Sequence, residues 1–585
     1  MKELTMNSKE NRKKRLKLEG SVRYCICIIS VLGIGCSITV LFPQVQRMII
    51  RLAEQYLIQR KVNFYDDWMH TLSAWARGCI FLIIAFDFFT IIAAGRALFT
   101  QIVYEIKTCV SKVPRKPLLK SFLLMSGMYL TGYMSIIRAN FSYADDLARA
   151  IEGYHGWNSW SRHLSDILAT FIHVDTNLTD ISPLPQIIAL LIIALSSVLL
   201  VYILCDGKIS VITLIAAIPV GLSPYFLENM SYKFDAPYMS LSVLFTIYPF
   251  LCAGSLRAFV FSSVVSLLAM CMTYQASSGI YVMITIVLVF KYWNNKQKTN
   301  RENLVFTGSA VLSFCCAMIL FRFFFMVSGT TGHNVSTKIF PVKQLVSGML
   351  INVQKYILYI NDDFGSVWKI LIAVIVVLFV IEVGRTSMLK KMPAIIIALL
   401  VIITAFIMSY GVYIILENPL YAPRALFGFG IFIAIIGVYV ISRHTKIAII
   451  SVIALSFSFF VFAFSYGNAL ADQKRYTDFR MEMLLHDLSI LFPDRNGSEM
   501  ALRLENNMGF SPVVKNIAKH YPLIERLVPY RGYYPLDYYL RNYFHWGNDG
   551  TWESNVVAAD LPRALDSYYH TIKSDGKHIF VMFKH

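Results

Sequence analysis

Long runs of apolar side chains recur along this sequence, and no soluble fold can hide them. About twenty consecutive apolar residues cross the ~30 Å hydrocarbon core of a bilayer as a helix. Within that core every backbone amide must be satisfied inside the protein, which a helix achieves by itself. The residue balance agrees: of 585 residues, 56% are hydrophobic and 15% are charged, against roughly a quarter charged in soluble proteins. Thirteen segments read as membrane helices: 24–43, 79–95, 118–137, 184–204, 209–226, 238–254, 257–275, 279–292, 304–327, 367–384, 393–415, 425–442 and 447–467. The run at 279–292 is short, so its helix is expected to take in flanking residues. The expected fold class is an all-α polytopic membrane protein of about 13 spans.

The charges orient these spans. The net charge is +18, and the basic residues gather in short connections: Arg12 to Lys17, then Lys107 to Lys116, Lys291 to Arg301, Arg385 to Lys391, and Arg443 with Lys446. Basic loops stay on the cytoplasmic side, and here every second connection is basic. The N-terminus is therefore expected inside, with an uncleaved first helix, because no clear small-residue cleavage site follows the first apolar run. One segment, 44–78, falls outside by parity yet carries Arg47, Arg51, Arg60 and Lys61. It reads as an amphipathic helix on the membrane surface, with arginines reaching the headgroups. No basic aromatic module points to nucleic acid, and no Walker sequence supports ATP-driven transport. The ten cysteines lie in or beside apolar runs without a CxxC pair, which argues against a disulfide framework or a zinc site.

Parity divides the chain into an extension at 1–117, a membrane core at 118–467 and a small extracytoplasmic domain at 468–585. The core's outer loops are 138–183 and 328–366. In the last region HIFVMF (578–583) reads as a strand.

The densest polar stretch is RANFSYADDLARAIEGYHGWNSWSRHLSDIL (138–168). Asp145 and Asp146 lie within eight residues of the expected membrane edge, where a sugar on a membrane-bound carrier phosphate would present its anomeric carbon. An inverting transfer needs a carboxylate to take the acceptor hydroxyl's proton. Cations are needed for the charge that develops on the leaving phosphate, and Arg149, Arg162 and His163 are candidates. Trp157 and Trp160 could stack on sugar rings or belong to the interfacial aromatic belt. A second outer stretch, SPYFLENMSYKFDAPYMS (223–240), holds Glu228, Lys233 and Asp235. Tyr274 and Gln275 in TYQASSG, and Arg424 in ENPLYAPRALFG, complete the candidate substrate-binding set. Bland alternatives stand beside each. Two further acidic pairs, Asp66–Asp67 and Asp362–Asp363, lie in outer segments, so a pair alone identifies nothing. Arg424 could simply pair with Glu417. A divalent cation could sit on the acidic pair with Glu152 and Asp166 through oxygen ligands, or Arg149 and His163 could supply that charge. Charge-poor spans without repeats argue against a transporter or lipid-linked sugar flippase.

Taken in order, YADDLARAIEGYHGW, RHLSDIL, DISPLPQI, PYFLENMSYKFDAPYM and TYQAS resemble the bacterial and phage-encoded glucosyltransferase (Gtr) family, which decorates O-antigen and converts serotype. The likeness runs from about 120 to 290. It implies an integral membrane fold of the GT-C kind in the bacterial inner membrane, acting on the periplasmic face, the side on which parity places the C-terminal domain. It implies transfer of glucose from undecaprenyl-phosphate glucose to a polysaccharide repeat, with a flippase and a glucosyl-lipid synthase as separate functional partners. The family's acidic pair maps onto Asp145 and Asp146. About 115 residues and two spans precede the likeness, which leaves the sugar and the acceptor open, lipid A or another surface polysaccharide included.

Overall fold

The computed structural model describes residues 96, 98–327, 338–442, 446–493, 500–529, 540, 546, 552–553 and 556–584. The chain forms two compact units, 1–108 and 109–585. The described part of the first is helical. The spans expected at 24–43 and 79–95 and the surface segment 44–78 lie outside the described residues.

The helices of eleven residues or more in the second unit are α1 (Arg115–Ala139), α2 (His163–His173), α3 (Leu184–Leu204), α4 (Ala236–Ile247), α5 (Leu256–Cys271), α6 (Ser278–Asn294), α7 (Asn300–Leu320), α8 (Leu345–Asp363), α9 (Ser366–Thr386), α10 (Lys391–Met408), α11 (Gly428–Ile441) and α12 (Lys446–Leu491). Among the described residues seven helical segments are long and apolar enough to cross a membrane: Leu184–Leu204, Gln275–Asn294, Asn300–Phe325, Ser366–Thr386, Lys391–Met408, Pro423–Ile441 and Lys446–Leu491. This makes the chain a membrane protein, with fewer full-length spans among the described residues than the eleven expected there.

The shortfall has physical causes. Over 118–137 a 25-residue helix does form, but serines, glycines and tyrosines dilute its apolar run. Its Tyr129, Tyr133 and Ser135 are buried, and the tyrosine hydroxyls bond inward, Tyr129 to Ser197 at 2.7 Å and Tyr133 to the Gly221 carbonyl at 2.5 Å. The expected span 209–226 is instead three short helices, Val211–Ala216, Pro219–Leu222 and Phe226–Ser231. Pro219 brings no N–H to continue the ladder. Segments 238–254 and 257–275 fold as the shorter α4 and α5, α4 continuing as a 3₁₀ turn through Cys252. The segment 328–366, expected as a loop, contains α8. This helix buries Gly348, Asn352, Tyr356, Ile360 and Asp363, one side of a helix at spacings of three and four.

α11 is buried along its whole length and forms the centre of the bundle, as an all-round apolar helix should. α12 is 46 residues long, about 70 Å at 1.5 Å per residue. A bilayer crossing uses less than half of that, so the helix runs straight across residue 467 into the C-terminal region. There Met481, Leu484 and Leu488 pack under a four-stranded sheet. Its order is β1 (Ala501–Glu505), β4 (His578–Phe583), β3 (His570–Ser574), β2 (Arg563–Asp566), with β1 and β4 parallel and the other pairs antiparallel. The strand expected at 578–583 is β4.

The C-terminal region also folds back onto the bundle. Tyr521 stacks on Trp368 of α9, and the Leu527 carbonyl accepts the Tyr143 hydroxyl at 2.7 Å. Arg526 pairs with Asp363 at the end of α8 and donates to the Tyr421 carbonyl. The C-terminal region thus packs against the loop that follows α1.

Candidate active site

α1 ends at Asn140, which takes a left-handed conformation (φ 43°) that asparagine tolerates well. The chain turns there, turns again at Ala144 (φ 47°), and enters the short helix Asp146–Glu152. These two turns point the neighbouring aspartates in different directions.

Asp146 faces inward and is fully buried. Its Oδ2 accepts the backbone N–H of Tyr143 at 2.9 Å and of Lys233 at 3.0 Å, and Oδ1 accepts that of Phe234 at 3.5 Å. It therefore pins the loop after α1 to the loop before α4. Burial pushes its carboxyl up to about 8, against the lowering effect of the Lys233 and Tyr143 amides. A group whose pKa is raised on folding binds its proton more tightly when folded. Its contribution is complete below about pH 4, the unfolded value, and is lost as pH rises through about 8. We expect the unfolding temperature of the detergent-solubilised protein to fall between pH 5 and pH 8. Asp146→Asn, which keeps an acceptor oxygen, should flatten that slope; an unchanged slope would assign it to another group.

Asp145 faces outward, with 38% of its side chain exposed, and pairs with Arg149 one helical turn on at 2.8 Å. Burial and the nearby Asp235 carboxylate raise its pKa, while Arg149 opposes the rise. Arg149 is only 4% exposed and also pairs with Asp235 of the second loop, and its Nε donates to the His155 carbonyl at 3.3 Å. Asp235 accepts the Trp157 indole N–H at 2.6 Å. Trp157 is buried beneath the Arg149 guanidinium, 4.3 Å from its ring, with Tyr238 edge-on. Its faces are taken by protein, not open to a sugar.

The other sequence candidates in these loops are also engaged. Glu228 is buried and holds Arg424 twice, at 2.8 Å through the guanidinium and 2.5 Å through the backbone N–H. Arg424 therefore pairs with Glu228 and not with Glu417, which meets Lys338 at 3.0 Å. Lys233 is buried and bonds Asp180 at 3.0 Å. Both ring nitrogens of His163 face oxygens, Asn158 Oδ1 at 2.6 Å and the Phe325 carbonyl at 2.8 Å. Tyr274 is buried, its hydroxyl on the Arg424 carbonyl at 3.0 Å, and Gln275 reaches the Trp160 carbonyl at 3.3 Å. Of the other acidic pairs, Asp363 serves Arg526 and Tyr225, and Asp66–Asp67 lies outside the described residues.

Of the candidate charged groups three keep an open side, as does Asp180, 34% exposed beside Lys233. Besides Asp145, Arg424 is 30% exposed and Arg162 is 18% exposed. Arg162 lies 4.6 Å over the Tyr274 ring and 3.8 Å from Asp235, and its buried Nε has no partner among the described residues. Tyr232 is within electrostatic reach of Arg424 and Asp145, and Tyr413 within reach of Arg162 and Arg424. Both tyrosines therefore lie among these charged groups. Tyr232 lies inside a quoted stretch, where nothing in the sequence marks one tyrosine among several. Tyr413 sits at the end of an apolar run, where no local pattern announces it. Among the described residues no cluster of three or more His, Cys, Asp or Glu is placed to hold a metal ion.

The sequence also has relatives. An uncharacterised 55.3 kDa protein encoded in the gtrB 5′ region of Salmonella phage P22 is 25% identical over 403 residues, covering 66% of this chain and 82% of that protein. No solved structure matches significantly. The glucosyl transferase GtrII family profile matches residues 134–441, a stretch that opens in α1, takes in the loops that hold Asp145 and Asp235 together with Arg424, and closes at the end of α11. With the profile spanning more than half of the sequence, the chain belongs to the GtrII glucosyl transferase family.

Proposed function

We propose that this glycosyltransferase moves glucose from undecaprenyl-phosphate glucose to an O-antigen repeat on the periplasmic face of the inner membrane. The observation that carries the mechanism is a partly exposed carboxylate, Asp145, within electrostatic reach of the partly exposed Arg162, with Tyr232 within reach of both Asp145 and the partly exposed Arg424, where α1 stops. The acceptor hydroxyl oxygen bonds to the anomeric carbon as the carbon–oxygen bond to the phosphate breaks. Asp145 takes the hydroxyl proton, and its raised pKa makes it the stronger base. The bonding electrons leave with the phosphate, whose charge Arg162 and Arg424 meet without having to reorganise. Attack on the face opposite the phosphate inverts the anomeric centre.

Arg162 and Arg149 separate binding from scaffolding. Arg162→Ala should raise the donor KM about tenfold or more, as loss of a charged hydrogen bond does, with little change in the yield of folded protein. Arg149→Ala removes a buried cation from between two carboxylates and should lower that yield. The reading itself is tested by comparing surface polysaccharide from cells with and without the chain. A hexose added to each O-antigen repeat is expected. Unmodified repeats with a hexose gained on lipid A would overturn the choice of acceptor, and no hexose on any glycan would overturn the activity.

A further inference from the structure

A second feature lies away from these charged groups. A groove of about 470 Å³ runs between α1 and α12, lined by Phe457, Phe460 and Phe464, with Thr131 on the facing helix and Asn468 at one end. Its inner side is closed. The Ser135 hydroxyl donates to the Ala463 carbonyl at 2.9 Å, and Gly467 has no side chain where Ser135 packs against it. Its outer side is open, Phe457 being 68% exposed, on a helix long and apolar enough to cross the bilayer. From Phe457 to Asn468 the trough follows about 16 Å of helix.

One end of this trough is cationic. Arg138, the last basic residue of α1, is exposed, donates to Asn468 and pairs with no carboxylate among the described residues. Lys474 lies further along α12 and bonds the Asn140 carbonyl at 3.2 Å, with Asp478 of the same helix within its electrostatic reach. An apolar trough headed by two cations fits an amphiphile with one long chain and an anionic head. Rings along the trough suit flat, branched isoprene units, and a single trough takes one chain, unlike an anchor with several acyl chains.

We propose that this groove holds the isoprenoid chain of a polyprenyl-diphosphate carrier that bears the acceptor glycan, its diphosphate at Arg138 and Lys474. The inference rests on the proposed transfer reaction, in which the donor phosphate is already met by Arg162 and Arg424. The groove head lies at the end of α1 that leads in seven residues to Asp145, so an anchored glycan would extend from it toward the base.

The test uses the full chain in nanodiscs with p-benzoylphenylalanine in place of Phe460. On irradiation with undecaprenyl diphosphate present, an adduct of that lipid is expected, and excess phosphatidylglycerol should not remove it. Adducts of phosphatidylglycerol or of lipid A alone, or of the chain's own residues before 96, would overturn the proposal. Kinetics supply the second measurement. Arg138→Gln, and separately Phe460→Ala with Phe464→Ala, should raise the KM for a carrier-linked acceptor about tenfold, leaving kcat and the donor KM unchanged. A rise in the donor KM instead would reassign the groove and overturn the proposal. Wild-type protein that forms the adduct yet transfers no glucose would count against the proposed reaction while supporting the lipid site.

Discussion

Asp145→Asn is expected to lower kcat by about three orders of magnitude while leaving the protein folded and at normal levels in the membrane. The size follows from what a positioned general base contributes, about 10²- to 10⁴-fold. The amide keeps the shape of the carboxylate but cannot take the acceptor's proton. It also cannot return the charge that Arg149 meets at 2.8 Å. Folding should survive, because Arg149 keeps its buried partner Asp235 and the Asp145 side chain is partly solvated. The adjacent Asp146→Asn should stay within about tenfold of wild type, since its Oδ2 position still accepts the Tyr143 and Lys233 amides. Donor turnover and acceptor modification, measured with matched amounts of monodisperse protein, check the contrast. Near-normal kcat in Asp145→Asn, with a large loss in Asp146→Asn, would exchange the two roles. The acid limb of kcat/KM should lie above the ordinary aspartate range, because burial and Asp235 raise the Asp145 pKa.

Much of this arrangement was legible in the sequence, for reasons that also mark where legibility stops. Uniform apolar runs such as 184–204 and 367–384 became α3 and α9 nearly residue for residue, because a bilayer crossing leaves its mark in local composition. α8 escaped the same reading because it is amphipathic; its buried residues recur at spacings of three and four between polar neighbours, and a scan for continuous apolar stretches passes over it. Segment 209–226 looked continuous because Pro219 is a single residue, yet one proline can end a helix. At the site, the stretches that carry the chemistry could be named in order, but not the role of each residue. Asp145 and Asp146 are indistinguishable by type. Their separation depends on the left-handed turn at Ala144 and on amides from a loop more than eighty residues away. The same holds for Glu228, Lys233 and Asp235. They lie close in sequence, but Arg424, Asp180 and Arg149 occupy them in pairs that no local pattern encodes. Polar residues that looked poised for sugar hydroxyls instead build the frame, and the groups with open faces are fewer.

That frame is most exposed to damage at Asp235. Asp235→Ala should destabilise the folded protein by about 3–5 kcal/mol, the usual cost of stranding one member of a buried ion pair. The carboxylate is nearly inaccessible and serves Arg149, the Trp157 indole N–H and, at 3.8 Å, Arg162. Its removal leaves the Arg149 guanidinium with only the partly solvated Asp145, and the Trp157 N–H without an acceptor. The loop after α1 and the loop before α4 then lose their central tie, and are left joined by the amides that Asp146 accepts and by the Lys233–Asp180 pair. Asp235→Asn should fall between, since its Oδ1 position still accepts the indole N–H while the charge is gone. Thermal unfolding and size-exclusion profiles in detergent, run beside Asp145→Asn, distinguish frame from chemistry. A stable, monodisperse Asp235→Ala protein whose defect is confined to the donor KM would make Asp235 a ligand contact and not the tie between the loops. The ordering expected is loss of folding for Asp235→Ala, partial loss for Asp235→Asn, and loss of turnover alone for Asp145→Asn. This order follows from burial: the deeper a charge sits among opposite charges, the more of its removal is felt by the fold before any substrate arrives.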